Sequence, residues 1–349
     1  MEDTDPLISN SSKKQSMKVK KHFWTYLKIN RHFQTDFGDI QDITIILILT
    51  FFGILTRIYR VQFPLQALNQ ERIIGEQINK YHSGDFFQDF SNPPISSVFY
   101  FYISQLSDYN PQFNYSFNPN TFNKERFPIQ FRTISAILSG FCVPLIYCSF
   151  RLIIPSIRTS IFSNRVTSIT CSALYMLETS LLSQGRYFFI DGLFQFLFVL
   201  SLFFIFFEDY IGNPIIFIVK NLLISLSFTT SPVRSIGLIF AVVFKNFINY
   251  RPREFVDLGC SISRTIFLLV FILFCQYIQY FFHISLLPYK SQSTEKCQSY
   301  IDHILISKNE TNLRKRSESA TLFTLFRHIL SFSMLQTTRF YRKKWKPVH

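Results

Sequence analysis

Residues 43–59 read Ile43-Thr44-Ile45-Ile46-Leu47-Ile48-Leu49-Thr50-Phe51-Phe52-Gly53-Ile54-Leu55-Thr56-Arg57-Ile58-Tyr59. No charge interrupts this run before Arg57, close to its end. A helix needs roughly 20 apolar residues to cross a bilayer core, and this run is just long enough. It is therefore read as a first transmembrane span. Ahead of it, residues 1–42 form a polar tail made basic by Lys13, Lys14, Lys18, Lys20 and Lys21. Such a tail does not resemble a cleavable signal peptide, so the first span is expected to act as its own insertion signal.

The pattern recurs downstream. Apolar runs near 131–153, 166–183, 191–207, 215–230, 234–249 and 265–283 bring the total to about seven spans. The expected fold class is an all-α polytopic membrane protein, with a six-span bundle over 131–283. Composition agrees: the chain is 48% hydrophobic and 17% charged, against roughly 25% charged in a typical soluble domain. Its 43 Phe residues would demand a very large core in water, whereas a bilayer supplies a second apolar solvent.

A net charge of +14 raises nucleic acid as a partner. The basic residues, however, cluster at the two termini and between apolar runs. That is the pattern of topology signals beside spans, so no nucleic-acid partner is expected. With the N-terminus cytosolic, Arg151, Arg158 and Arg165 fall in one cytosolic loop, and Arg251, Arg253 and Arg264 in another, as the positive-inside rule requires. The polar stretch 60–130 then faces a lumen. Its short apolar segment Ile95 to Leu106 reads as an interfacial or re-entrant element. Acceptor sequons for N-glycosylation at Asn114 and Asn309 fall on lumenal segments, while Asn10 would be cytosolic and unused. The tail 284–349 holds an apolar stretch at 320–335, interrupted by Arg327 and His328. It reads as an interfacial helix, with an eighth span as the alternative. The six cysteines show no CxxC or Cys/His ligand spacing, so no metal or other cofactor is expected.

No P-loop, dinucleotide fingerprint, HExxH or GxSxG occurs. What remains is polar residues at membrane borders, where charge is costly and needs a reason. Five clusters stand out: Arg57, Arg60 and Asn69-Gln70-Glu71-Arg72; Ser83 through Pro94; Gln130-Phe131-Arg132; Gln184 through Asp191; and Pro232-Val233-Arg234. All five fall on the lumenal side, so carboxylates and guanidinium groups would converge there.

In these clusters the sequence resembles the protein O-mannosyltransferases, enzymes of the endoplasmic reticulum that use dolichyl-phosphate mannose. The resemblance runs over roughly 45–290. It rests on Thr56-Arg57-Ile58-Tyr59-Arg60, on Gly84, Phe86-Phe87, Asp89 and Pro93-Pro94, and on Arg132 through Gly140 with Pro144. It continues in Leu177-Glu178-Thr179-Ser180 through Arg186 and Asp191, and in Phe282-His283-Ile284-Ser285-Leu286-Leu287. It implies the membrane half of a GT-C glycosyltransferase fold and an inverting transfer of mannose to Ser/Thr hydroxyls of proteins. It also implies a multi-pass protein of the endoplasmic reticulum membrane, and a dimer with a related family member.

Several positions depart from the family pattern. An adjacent Asp-Glu pair followed by His corresponds here to Gln70, Glu71 and Ile73, and a His-Pro-Pro to Asn92-Pro93-Pro94. A family Lys matches Arg234, and the chain is expected to be a shortened member without the family's lumenal β-trefoil domain. A hydroxyl nucleophile needs a base, and the amide of Gln70 cannot be one. Glu71 is the expected substitute, or else an ion-pair partner of Arg57 or Arg60; Asp89 is the second candidate. Arg132 is expected to bind the donor phosphate or a carboxylate, or to snorkel. Arg186 and Arg234 are further phosphate candidates, with an Arg186–Asp191 bridge and simple lipid contact as the plainer readings. Gln70, Asn92, Pro93, Pro94 and Asp191 are expected to shape the site, and His283 reads as a span-end residue. The departures keep open a catalytically inactive member that partners an active subunit. An unrelated transporter or channel is the lesser alternative, since the spans hold few midplane charges.

Overall fold

The computed structural model describes residues 38–64, 67–85, 87, 93–107, 109–113, 115, 129–153, 161–248 and 255–287. The secondary structure within them is helical: α1 Ile40–Ile58, α2 Asn69–Ser83, α3 Ile95–Gln105, α4 Ile129–Ile153, α5 Ile161–Leu177, α6 Thr179–Arg186, α7 Ile190–Ile211, α8 Pro214–Thr230, α9 Pro232–Ile248 and α10 Phe255–Leu286. Among the described residues, four stretches are by length and composition long and apolar enough to cross a membrane: Ile40–Ile58, Ile129–Ile153, Asp191–Ile211 and Leu258–Leu286. Helix α8 is apolar but shorter.

Helix α4 is the axis of the first half and packs against α1, α5, α6 and α7. Its contact with α1 is backbone on backbone. A Cβ added to Gly53 would lie 2.7 Å from the Gly140 carbonyl oxygen, and one added to Gly140 would lie 2.9 Å from Ile54 Cα. Small residues at such a crossing replace the hydrophobic drive that lipid cannot supply. The second half is built on α8, which contacts α7, α9 and α10. There Ile224, Leu238 and Leu268 are buried together. Outward faces carry large apolar side chains such as Leu47, Phe51, Phe240 and Phe244, as expected of surfaces solvated by lipid.

Side-chain pairs sort the helix ends into two groups. At one end α2 meets the start of α4 through Glu71 and Arg132, and the end of α10 through Tyr81 and His283. Also there, α6 meets the end of α1 through Arg186. At the opposite end Asp42 accepts from Tyr147 Oη at 2.6 Å, Arg151 at 2.8 Å and Arg165 at 3.2 Å, tying α1, α4 and α5 together. On that same end Glu208 pairs with Lys220, and Asp209 with Lys245.

Two boundaries differ from the sequence expectation. The run read as one span over 166–183 breaks at Glu178, which leaves the helical region at ψ 114° and accepts the Leu181 N–H at 2.8 Å. A side-chain cap of this kind starts a new helix, so α5 stops at Leu177 and α6 turns away. The last described helix is longer than 265–283, reaching from Phe255 to Leu286 over 32 residues. The described part of the polar stretch after α1 holds α2 and α3, which pack on each other, and α3 falls on the short apolar segment Ile95 to Leu106 singled out in the sequence.

The α2–α3 contact is sensitive to acid. His82 lies 2.7 Å from Ser104 Oγ through Nε2 and receives Gln105 Nε2 at Nδ1, 3.4 Å away. Burial lowers its pKa below the ordinary histidine value. The unfolded chain therefore takes up the proton first as pH falls through about 6.5, and stability drops with it. The thermal midpoint should fall on acidification below that point, and less steeply in His82→Gln. An identical pH profile for the variant would show that His82 is not the group responsible.

Candidate functional site

The end bearing α2 and α3 gathers the described residues of all five polar clusters. Glu71 sits in the first turn of α2, where its Oε2 accepts the Leu68 N–H at 3.0 Å. The same carboxylate receives Arg132 from the first turn of α4 in a two-pronged pair, Nε to Oε1 at 2.8 Å and Nη2 to Oε2 at 2.6 Å. Both side chains are 0% exposed. Arg132 Nη1 also donates to the carbonyls of Gln62 at 3.2 Å and Pro64 at 2.5 Å, and the guanidinium stacks over the Tyr187 ring. Glu71 is thus paired with Arg132, and not with Arg57 or Arg60. Both of its oxygens are committed, and no surface of it meets solvent. Gln70, one residue earlier, is exposed.

Arg57 is also fully buried. Its Nε donates to Ser139 Oγ at 2.8 Å and its Nη1 to the Gly53 carbonyl at 3.1 Å, which fixes the end of α1 against α4. Nη2 has no hydrogen-bond partner among the described residues. Gly185 lets α6 close over this contact, because any Cβ there would collide with Ser139.

Arg186 ends α6 and donates through Nη2 to two carbonyls, Tyr59 at 2.6 Å and Arg60 at 2.7 Å. Arg60 has φ 55°, a left-handed conformation that costs a non-glycine residue about 1 kcal/mol. Asp191, the anticipated partner of Arg186, pairs instead with Arg234 at the start of α9. The reason is geometric. Arg186 points back to α1, whereas Asp191 begins α7 beside α9. Arg234 is 52% exposed in this pair and also lies over the Phe194 ring, 5.9 Å from its centroid.

Pro94 is buried and immediately precedes α3, and its carbonyl accepts the Val98 N–H at 2.9 Å. Pro93 is half-buried beside it. His283 ends α10 with Nδ1 2.6 Å from Tyr81 Oη and Nε2 3.2 Å from the Phe87 carbonyl. That carbonyl can only accept, so Nε2 carries the proton and Tyr81 donates to Nδ1. Asp89, Asn92, Asn114 and Asn309 lie outside the described residues, as do most of the tails 1–42 and 284–349. Among the described residues, no three of His, Cys, Asp and Glu converge as metal ligands.

Sequence reasoning missed two features. The Asp42 network leaves only Asp39 and Asp42, just ahead of an apolar run, as its signal. The left-handed Arg60 leaves none.

Residues 47–292 match the family model described as dolichyl-phosphate-mannose-protein mannosyltransferase. The chain belongs to this family. A curated member, protein O-mannosyl-transferase 1 of Danio rerio, is 29% identical over 161 residues, covering 45% of this chain and 21% of that protein. The fold is similar to a chain in the structure of the S. cerevisiae protein O-mannosyltransferase Pmt1-Pmt2 complex bound to the sugar donor, with a TM-score of 0.65 at 16% identity. That likeness covers 82% of this chain and 39% of the yeast chain. This family member therefore spans well under half the length of these relatives. The likeness to the yeast complex fixes the fold class expected from the sequence, an all-α membrane protein resembling the membrane half of a GT-C enzyme.

Proposed function

We propose that this chain transfers mannose from dolichyl-phosphate mannose to Ser/Thr hydroxyls of proteins, at the lumenal face of the endoplasmic reticulum membrane. The carrying observation is a set of arginine contacts at one end, which join α2 to α4, α6 to the turn after α1, and α7 to α9, with Arg234 still half exposed beside Asp191. In this reading the acceptor oxygen bonds to the sugar carbon and its proton passes to a carboxylate. The bond from that carbon to the phosphate breaks, and dolichyl phosphate leaves. A guanidinium beside the phosphate stabilises the charge that develops on it. Arg234 is a phosphate candidate, whereas Arg132 and Arg186 spend donors on protein atoms. With both Glu71 oxygens held by Arg132, Asp89 is the base to test first and Glu71 the second. The N-terminus is assigned to the cytosol, because Arg151 and Arg165 lie at the end away from α2. The yeast fold relative is a Pmt1-Pmt2 complex; pairing with a related member is extended to this chain on that basis.

The sealed state of Glu71 and the amide at Gln70 favour a second reading, an inactive member that supports an active partner. The deciding experiment is transfer of labelled mannose from dolichyl-phosphate mannose to a Ser/Thr-rich peptide by intact chain, Asp89→Asn and Glu71→Gln. Loss in Asp89→Asn alone, with fold retained, identifies the base. No transfer by folded intact chain gives the partner reading, and co-purification then becomes the route to the active subunit.

A further inference from the structure

The turn that leaves α1 is gripped by two guanidinium groups. Arg132 holds the carbonyls of Gln62 and Pro64, and Arg186 those of Tyr59 and Arg60. At the centre of the grip stands Arg60, at φ 55°. On backbone grounds the position calls for glycine or asparagine. The fold instead keeps a long cation there and commits a second arginine to holding it. Strained non-glycine residues concentrate where the direction of a side chain matters.

The surroundings of Arg60 indicate what it faces. It is exposed, and its guanidinium stacks over the Tyr59 ring at 5.4 Å. It has no carboxylate partner among the described residues, whereas Arg234 has Asp191, Arg72 has Glu76 and Arg132 has Glu71. Tyr59 is 63% exposed and closes the apolar run of α1. Aromatic residues at that position mark the headgroup level of a bilayer. A guanidinium at that height with no carboxylate partner among the described residues meets phosphate oxygens, to which its planar fork is suited.

We propose that Arg60 binds the phosphate of a membrane lipid, and that Arg186 is a positioning residue that holds Arg60 in its left-handed turn. If the mannosyltransferase reading holds, on which the identity of the lipid rests, that phosphate is the donor's.

The test is titration of dolichyl phosphate, and separately of phosphatidic acid, into the purified full chain in phosphatidylcholine nanodiscs. Arg60→Gly removes the cation while fitting the left-handed backbone, so it should fold at least as well as the parent. It should weaken dolichyl phosphate binding tenfold or more, with Arg60→Lys between the two. Arg186→Gln should weaken binding when Arg60 is present and add nothing to Arg60→Gly, an outcome that a general loss of structure would not give. Weakening for dolichyl phosphate alone assigns the site to the donor; equal weakening for phosphatidic acid assigns it to lipid phosphates at large. Binding by Arg60→Gly equal to the parent in both titrations overturns the proposal. If intact chain binds phosphatidic acid through Arg60 but no dolichyl phosphate, the mannosyltransferase reading fails while the phosphate site stands.

Discussion

Arg132→Ala is expected to destabilise the folded chain by about 3–5 kcal/mol, the usual consequence of stranding one partner of a buried ion pair. Three losses add up in this variant. The Glu71 carboxylate keeps only the Leu68 N–H, and two carbonyls of the turn after α1 lose their donor. The N-terminus of α2 also loses its tie to α4. A double variant, Glu71→Gln with Arg132→Met, should lie closer to the parent than Arg132→Ala alone, because neither residue then leaves a buried charge. Denaturation in detergent checks both statements. An Arg132→Ala midpoint equal to the parent would show that the pair is not the fastening described. The measurement also bears on chemistry. Loss of transfer in a Glu71 variant speaks for a base only if that variant remains folded.

The second large effect concerns the α1–α4 crossing. Gly140→Leu should separate the two helices, because even a Cβ at that position lies 2.9 Å from Ile54 Cα, a backbone atom that cannot swing aside. Overpacking of this kind costs about 1–3 kcal/mol when side chains can relax, and more is expected where backbone is the obstacle. Ser139 is the adjacent residue, so separation also strips Arg57 of its hydroxyl partner. Gly53→Ala should be damaging for the same reason, its Cβ standing 2.7 Å from the Gly140 carbonyl oxygen. Gly237→Ala is the control: it lies within α9, and an added Cβ meets nothing within 4 Å. There the helix should gain roughly 0.5–1 kcal/mol from the better helix former. Thermal midpoints of the three variants decide the matter. If Gly140→Leu and Gly237→Ala behave alike, the crossing is not close-packed.

The positions of these helices were legible because apolar run length is a local property that a bilayer reads directly. The runs at 43–59 and 131–153 reappear as α1 and α4 with ends shifted by only a few residues. The break at Glu178 was missed because hydropathy averages over a cap. A single carboxylate accepting one backbone N–H ends a helix without changing the composition of the segment.

Partnership among charges is another matter. The sequence by itself determined an all-helical membrane protein and the set of arginines and carboxylates at one end of it. It also carried the family resemblance that the comparisons bear out. Which arginine meets which carboxylate was decided only by tertiary structure. Glu71 takes Arg132, 61 residues away, and Asp191 takes Arg234, 43 residues away, although Arg186 is nearer in the chain. Spacing along a chain limits only the pairs within one helix or turn. Pairs between helices depend on how close and at what rotation the helices pack, and here contacts such as Gly53 on Gly140 set that. The left-handed turn at Arg60 belongs to the same class. Its conformation is held by carbonyl contacts from Arg186, 126 residues away, and nothing in the local sequence requires it.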